Sequence, residues 1–169
     1  MVRRSSNFCL PLAFFFALIL ALTTGAQDKL TKLESRFAEE KDPVRKARAF
    51  PNLGLARLSA FREQLRGENY EEGLRILQQY RDEARTAFTG LKQSGIDAEK
   101  KSNGFRQLEI HLRRGVRQIG ELILTIPYDR REPCEAIRKE LDQMDRELIN
   151  MLFPRQPGYK PNRPGKVGR

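Results

Sequence analysis

The sequence is poor in histidine and cysteine, the side chains from which most zinc sites are built. Its 169 residues contain one histidine, His111, and two cysteines, Cys9 and Cys134. A zinc site of the histidine and cysteine kind takes three or four such ligands, so a single chain cannot assemble one. Carboxylate-bridged metal sites in helical bundles use a Glu-x-x-His pair on each of two helices, and that pattern is absent too. We therefore expect no metal and no other cofactor.

Catalytic motifs are equally scarce. The glycines occur singly rather than in a phosphate-binding loop. A nucleophilic pair of Cys134 and His111 is the remaining catalytic alternative, as a hydrolase or redox protein. However, Cys134 lies at the edge of its helix's apolar arc, where a small packing residue is expected, and His111 lies at the boundary of its own. We expect that the protein is not an enzyme.

Acidic residues are missing from both ends of the chain. At the first end, Arg3 and Arg4 precede an apolar stretch over residues 10–22, and the small residues 24–26 follow. This layout is typical of a cleaved signal peptide, and the apolar stretch is shorter than the ~20 residues that cross a bilayer. We predict a signal peptide over residues 1–26, export to the periplasm or the outside, and no transmembrane span after its removal.

At the other end, residues 154–169 are rich in proline and glycine and carry only positive charges. Such a composition cannot bury enough apolar surface to fold, so we predict a disordered basic tail. Its cations would attract a polyanion; because export argues against nucleic acid, anionic envelope polymer or a lipid surface is the expected kind. These cations are Arg155, Lys160, Arg163, Lys166 and Arg169.

Apolar residues recur at three- and four-residue steps between residues 28 and 153, which predicts helices and no strands. A short helix is marked by Leu30, Leu33 and Phe37. Four long helices follow: one from the Asp42 cap to Gly67, kinked or split at Pro51; one from an Asn69 cap with Glu72 to Gln93; one over residues 98–125, capped by Asp97 and stopped by Pro127; and one over residues 132–153.

Short links between long helices require each helix to fold back on its neighbour. The predicted fold class is therefore all-α, an antiparallel up-and-down bundle of four long helices plus one short N-terminal helix. It forms a single domain over residues 27–153, which is long enough to bury a core without disulfide or metal support.

Residues 67–80 (GENYEEGLRILQQY) resemble the turn and second helix of a tetratricopeptide repeat, with Tyr70, Gly73 and Leu77 near its packing positions. The resemblance covers half of one repeat, and no second copy follows at a fixed period. We therefore expect no repeat array.

Two residues inside apolar arcs predict specific packing. Gly115 indicates that a neighbouring helix approaches closely. Arg81 projects into the apolar arc of its helix, so its charge must reach solvent or meet a carboxylate. We predict an ion pair for it.

A stripe of arginines marks the helix over residues 98–125. Arg106, Arg113 and Arg117 fall within about 40° of one another on a helical wheel, and Arg114 lies further round on the same polar side. Such a stripe either docks an acidic or phosphate-bearing partner or pairs with acids on an adjacent helix. Ile110 and Leu124, which point outward nearby, favour a contact surface; the alternative is that they face a fifth element of the bundle.

Together these features predict a non-enzymatic exported helical bundle that presents a surface to an unknown protein partner in the cell envelope. The alternative is a binder of anionic polymer or lipid that uses the basic tail and the arginine stripe. The candidate contact residues are the same in both hypotheses: Arg106, Arg113, Arg114, Arg117 and the five cations of the tail.

Overall fold

A computed structural model describes residues 28–154, and within them all regular structure is helical. This confirms the all-α prediction. Helix α1 covers residues 28–39, and a short 3-10 helix at Tyr128–Arg130 precedes the last helix. The four long helices are α2 at Pro43–Arg66, α3 at Tyr70–Gln93, α4 at Asn103–Ile123 and α5 at Glu132–Leu152. The predicted signal peptide and the five tail cations lie outside the described residues.

Helix α2 begins as predicted but is not split at Pro51. The Asp42 carboxylate accepts a hydrogen bond from the Arg45 amide at 2.7 Å, and Pro43 needs no backbone partner in the first turn. A proline inside a helix costs about 3 kcal/mol. Phe50 and Leu53 lie on either side of Pro51 and are both fully buried, so packing offsets that cost. Of the two predicted alternatives, a kink or a split, the split is absent.

The starts of α3 and α4 differ from the predictions. Asn69 precedes α3 but makes no side-chain capping bond. Glu72 pairs instead with Arg75 one turn along the helix, because a charged partner on the same face competes with the backbone for its carboxylate. Asp97 does accept hydrogen bonds from the Glu99 and Lys100 amides. Those residues form a separate turn, and α4 begins only at Asn103.

Helix α4 also ends earlier than predicted, at Ile123 rather than at residue 125. The Arg131 guanidinium donates hydrogen bonds to the carbonyl oxygens of Leu124 and Ile126. Because these carbonyls find a side-chain partner just after the helix, the chain can leave the helical path before Pro127.

The core is shared by the four long helices and follows the predicted apolar faces. Its largest fully buried side chains include Phe50 and Phe61 of α2, Tyr80 of α3, Phe105 of α4 and Leu141 of α5. Burying a side chain of this size contributes about 1.5–3 kcal/mol. These side chains, meeting in one cluster, hold the helical bundle together.

The helix pairs run in different relative directions. The start of α2 meets the end of α3, since Pro43 lies beside Gly90. By contrast, α2 and α4 run side by side in the same direction, since Val44 lies against Gly104 and Leu58 against Gly115. Helix α5 packs on α3 and α4, so it does not cover the outer side of the α2–α4 pair.

Candidate binding groove

A groove of about 400 Å³ lies between α2 and α4. Residues three and four apart share one face of a helix, and one such face of each helix forms a wall. The wall from α2 contains Arg48, Asn52 and Leu55, and the wall from α4 contains Gln107, Ile110, Arg114 and Gln118. We call this surface the α2–α4 groove.

The middle of the α2–α4 groove is apolar and open to solvent. Leu55 is 58% exposed and Ile110 is 38% exposed, and Pro51 and Leu58 lie in the groove with them. Single exposed apolar residues are common on protein surfaces. Here Leu55 and Ile110 are exposed in the same groove, with the half-buried Pro51 and the buried Leu58 beneath them, and exposed apolar side chains grouped in this way are typical of a contact surface.

The floor of the groove depends on two glycines. A side chain at Gly54 of α2 would collide with the imidazole of His111. One at Gly115 of α4 would collide with the hydroxyl of Tyr80. The close approach predicted for Gly115 is therefore present, and it lets a ring from α3 reach between α2 and α4.

His111 is buried rather than at the boundary position expected from the sequence. Its ring makes an edge-on contact with Phe50, with 5.1 Å between ring centroids, and lies 5.9 Å from the ring of Tyr80. Burial, together with the nearby charge of Arg114, lowers the pKa of His111 to about 4. At neutral pH the imidazole is uncharged and packs as an aromatic residue. The boundary prediction failed because Gly54, on another helix, makes room for the ring.

The charge of the groove is entirely positive. Arg48 and Arg114 stand on its two walls and no acidic side chain lines it. Neither arginine forms an ion pair within residues 28–154. The groove continues past Arg48, Asn52 and Gln107 toward α1, where the first acid, Glu40, lies 3.6 Å from Arg45. The part around Leu55 and Ile110 therefore offers two unneutralised cations.

The structure separates the four predicted arginines of α4. Arg114 lines the α2–α4 groove, whereas Arg106 lies with Leu152 and Phe153 at a different surface. Arg117 is exposed and lines neither. These side chains do not share one site. The remaining candidates, Arg155, Lys160, Arg163, Lys166 and Arg169, lie outside the described residues.

Arg113 is engaged with acids. It pairs with Glu109 on its own helix and lies 3.9 Å from Asp145 on α5. Both carboxylates are buried. Burial, reinforced by the charge of Glu109, raises the pKa of Asp145 to about 6. Arg113 therefore neutralises buried acids between α4 and α5. At this one position the arginine stripe pairs with acids, which was one of its two predicted roles.

The residues considered for catalysis have different surroundings. Cys134 is buried at the start of α5, and burial raises the pKa of its thiol. His111 is held among Phe50, Tyr80 and Gly54. In the described part of the chain, no three histidine, cysteine, aspartate or glutamate side chains are grouped to hold a metal ion. Arg81, in contrast, forms the predicted ion pair, 2.9 Å from Asp82.

The wall from α2 was missed by the sequence interpretation. Arg48, Asn52 and Leu55 lie outside the buried face of α2, so their pattern is that of an ordinary solvated surface. The outward leucine at position 55 was the available signal, as the outward isoleucine at position 110 was on α4. Nothing local to either helix shows that the two residues face one groove.

No family model matches the chain, and no curated protein and no solved structure is significantly similar to it. Over residues 28–154 the structure contains no helix that is both long and apolar enough to cross a bilayer.

Proposed function

We propose that this protein is an exported, non-enzymatic binding module that presents the α2–α4 groove to a partner protein of the cell envelope. One observation carries the proposal: Leu55 of α2 and Ile110 of α4 are both exposed and line the same groove. Exposed apolar patches of this kind, bordered by polar groups, are typical of protein contact sites.

The scaffold proposed for this module is an up-and-down bundle of four long helices with a short N-terminal helix. It is supported by the opposite directions of α2 and α3 and by the packing of α5 on both α3 and α4. In such a bundle the helices adjacent to the groove are held by the core, so the groove is preformed. Export is proposed from the signal-peptide layout of residues 1–26.

Site-specific photo-crosslinking in the source cells tests this function. A photoreactive residue at position 110 is expected to form a protein adduct of discrete mass, and the same residue at Lys139, exposed on α5, is expected to form none. Adding Arg114→Glu should remove the adduct. Equal adducts at both positions, or none at position 110, would contradict a groove-mediated role. Turnover of a substrate that Cys134→Ser abolishes in a folded protein would contradict the non-enzymatic role.

A second candidate function is attachment to an anionic polymer or lipid surface. It is favoured by Arg106, Arg114 and Arg117, which have no ion-pair partner within residues 28–154, and by the cationic sequence that follows. It predicts co-sedimentation with anionic vesicles or cell-wall sacculi at low salt, lost at high salt and after truncation at Phe153. Unchanged binding after that truncation would exclude the tail.

A further inference from the structure

The α2–α4 groove combines an apolar centre with a cation on each wall. Leu55 and Ile110 occupy the centre, whereas Arg48 and Arg114 flank it. We infer that its occupant is an amphipathic helix of a partner protein whose acidic side chains meet these two arginines. This inference rests on the proposed function and names the chemistry of the partner.

The position of the two arginines along the groove defines a spacing. Arg48 lies nearly level with Gln107, because Val44, one turn before Arg48 on α2, lies against Gly104 of α4, and because both residues line the same two adjoining depressions. Arg114 is seven residues beyond Gln107 on α4, so the two cations are separated along the groove by two helical turns, about 10 Å. Acidic side chains seven residues apart on a bound helix have the same separation and lie on one face.

The apolar centre specifies what lies between those acids. Ile110 is on α4 between Gln107 and Arg114, and Leu55 lines the same groove from α2, one residue after Gly54, which packs against His111. A helix lying in the groove would place the side chains three and four positions after its first acid against them. The expected partner face is therefore an acid, two apolar residues in the next turn, and a second acid seven positions after the first. A helix docked by such anchors is a common mode of peptide recognition.

Charge complementarity favours this occupant over parts of the chain itself. Residues 1–26 and 154–169 contain no acidic side chain, so neither end of the sequence can neutralise Arg48 and Arg114. A second copy docked groove to groove would bring four arginines together, which is unfavourable. An acidic helix supplies both the missing charges and the missing apolar contacts.

Selection from a displayed library of amphipathic helical peptides against the purified protein tests the inference. The expected enriched class has two acids seven positions apart with apolar residues between them. Arg48→Glu and Arg114→Glu should each weaken binding of these peptides by about tenfold or more. The matched control Arg117→Glu, on α4 but outside the groove, should leave the affinity unchanged. The arginines are exposed, and thermal melts verify that the variants are folded.

A charge exchange sharpens this test. A peptide in which the acid facing Arg114 is changed to lysine should lose affinity for the native protein and regain it for Arg114→Glu. Leu55→Ala should weaken binding, whereas Leu124→Ala, a more exposed leucine outside the groove, should not. Enriched peptides that lack acids, acidic peptides indifferent to both arginines, or a library with no enriched class would each overturn the inference.

A co-sedimentation experiment with phosphatidylglycerol vesicles tests whether the groove binds lipid instead. If the native protein sediments with the vesicles and Leu55→Ala does not, the groove is a lipid site and the inference is wrong. The two proposals fail separately. A discrete adduct at position 110 without an acidic peptide class leaves the protein-binding role and removes the acidic helix. If position 110 forms no adduct while Arg114 is unchanged, the role itself is removed.

Discussion

The hydroxyl of Tyr80 on α3 lies against the Cα of Gly115 on α4, in the space that a side chain at position 115 would fill. Tyr80 is fully buried, and its hydroxyl oxygen has no hydrogen-bond partner within residues 28–154. A glycine inside a helix costs about 1 kcal/mol relative to alanine. Here the glycine allows Tyr80 of α3 to contact α4, and these two helices make few other contacts.

Replacing Gly115 with alanine should therefore destabilise the protein. The new methyl group would force the Tyr80 ring or the α4 backbone to move, and overpacking of this kind costs about 1–3 kcal/mol. Urea denaturation followed by circular dichroism measures the change. The control is Gly120→Ala on the same helix, where the nearest atom is Arg138 Cδ at 3.6 Å. That variant should gain about 0.5–1 kcal/mol, and equal effects at the two positions would contradict the contact.

Tyr80→Phe should relieve the conflict. It removes a buried hydroxyl without a partner, so the single variant is expected to be as stable as the native protein or more stable. In this background the nearest ring atom to a methyl at position 115 is Cζ, at 3.4 Å, an ordinary contact. Gly115→Ala should then cost about 1 kcal/mol less than it does alone. A double-mutant cycle by urea denaturation measures this coupling, and additive effects would show that the hydroxyl is not the obstacle.

The buried faces of the helices could be predicted from the sequence because helical periodicity is a local property. Ala47, Phe50 and Leu58 on α2, and Leu108 and Leu112 on α4, are all buried, as their spacing indicates. The predicted helix ends were less accurate, as at Asp97 and Pro51. At Pro51 the outcome depends on packing against other helices rather than on the local breaker, whereas Asp97 caps a separate local turn that the helix does not continue.

The groove could be predicted only in part, because it depends on which helices become neighbours. Ile110 and Arg114 were identified on α4, but their partners Leu55 and Arg48 belong to a surface of α2 without a distinguishing pattern. His111 was placed at a boundary because a helical wheel contains no information about Gly54 on another helix. These are relations between helices, and one helix's periodicity cannot supply them.

Stability between about pH 4 and 6.5 should contain two opposing contributions. His111 has a pKa of about 4 in the folded protein, below its ordinary value, so the unfolded chain binds its proton first as the pH falls. Stability is then lost as the pH falls from 6.5 to 4, by roughly 3 kcal/mol in full. In His111→Gln this loss is absent, so the slope of unfolding free energy against pH in this window should decrease.

Asp145 should act in the opposite direction. Its pKa of about 6 in the folded protein exceeds its ordinary value, so the folded state binds the proton first. Stability is gained as the pH falls from 6 to about 4. Asp145→Asn should lose that gain, so the slope of its unfolding free energy against pH should increase. Urea denaturation at pH 4.5, 5.5 and 6.5 is the measurement. Slopes that change in the same direction in both variants would refute the assignment of one of the two groups.

Among residues 28–154, Arg57 should be a charged position where substitution costs much stability. It is 7% exposed, and its guanidinium lies 2.7 Å from Glu83 on α3 and 2.5 Å from Glu34 on α1. Burial raises the pKa of Glu83 even beside this cation, which shows that its carboxylate is poorly solvated. Arg57→Ala leaves that acid without its partner and is expected to cost about 3–5 kcal/mol.

Changing both partners of the Arg57–Glu83 pair together distinguishes an unpaired buried charge from lost packing. In Arg57→Met with Glu83→Met, the poorly solvated carboxylate of Glu83 is gone, Glu34 is exposed enough to be solvated by water, and the volume is kept, so most of the stability should return. The matched surface control is Arg146→Ala, which breaks an exposed pair with Asp142 at 2.9 Å and should cost about 1 kcal/mol or less. If the double methionine variant is as unstable as Arg57→Ala by urea denaturation, this ion pair stabilises the bundle through its geometry rather than by neutralising Glu83.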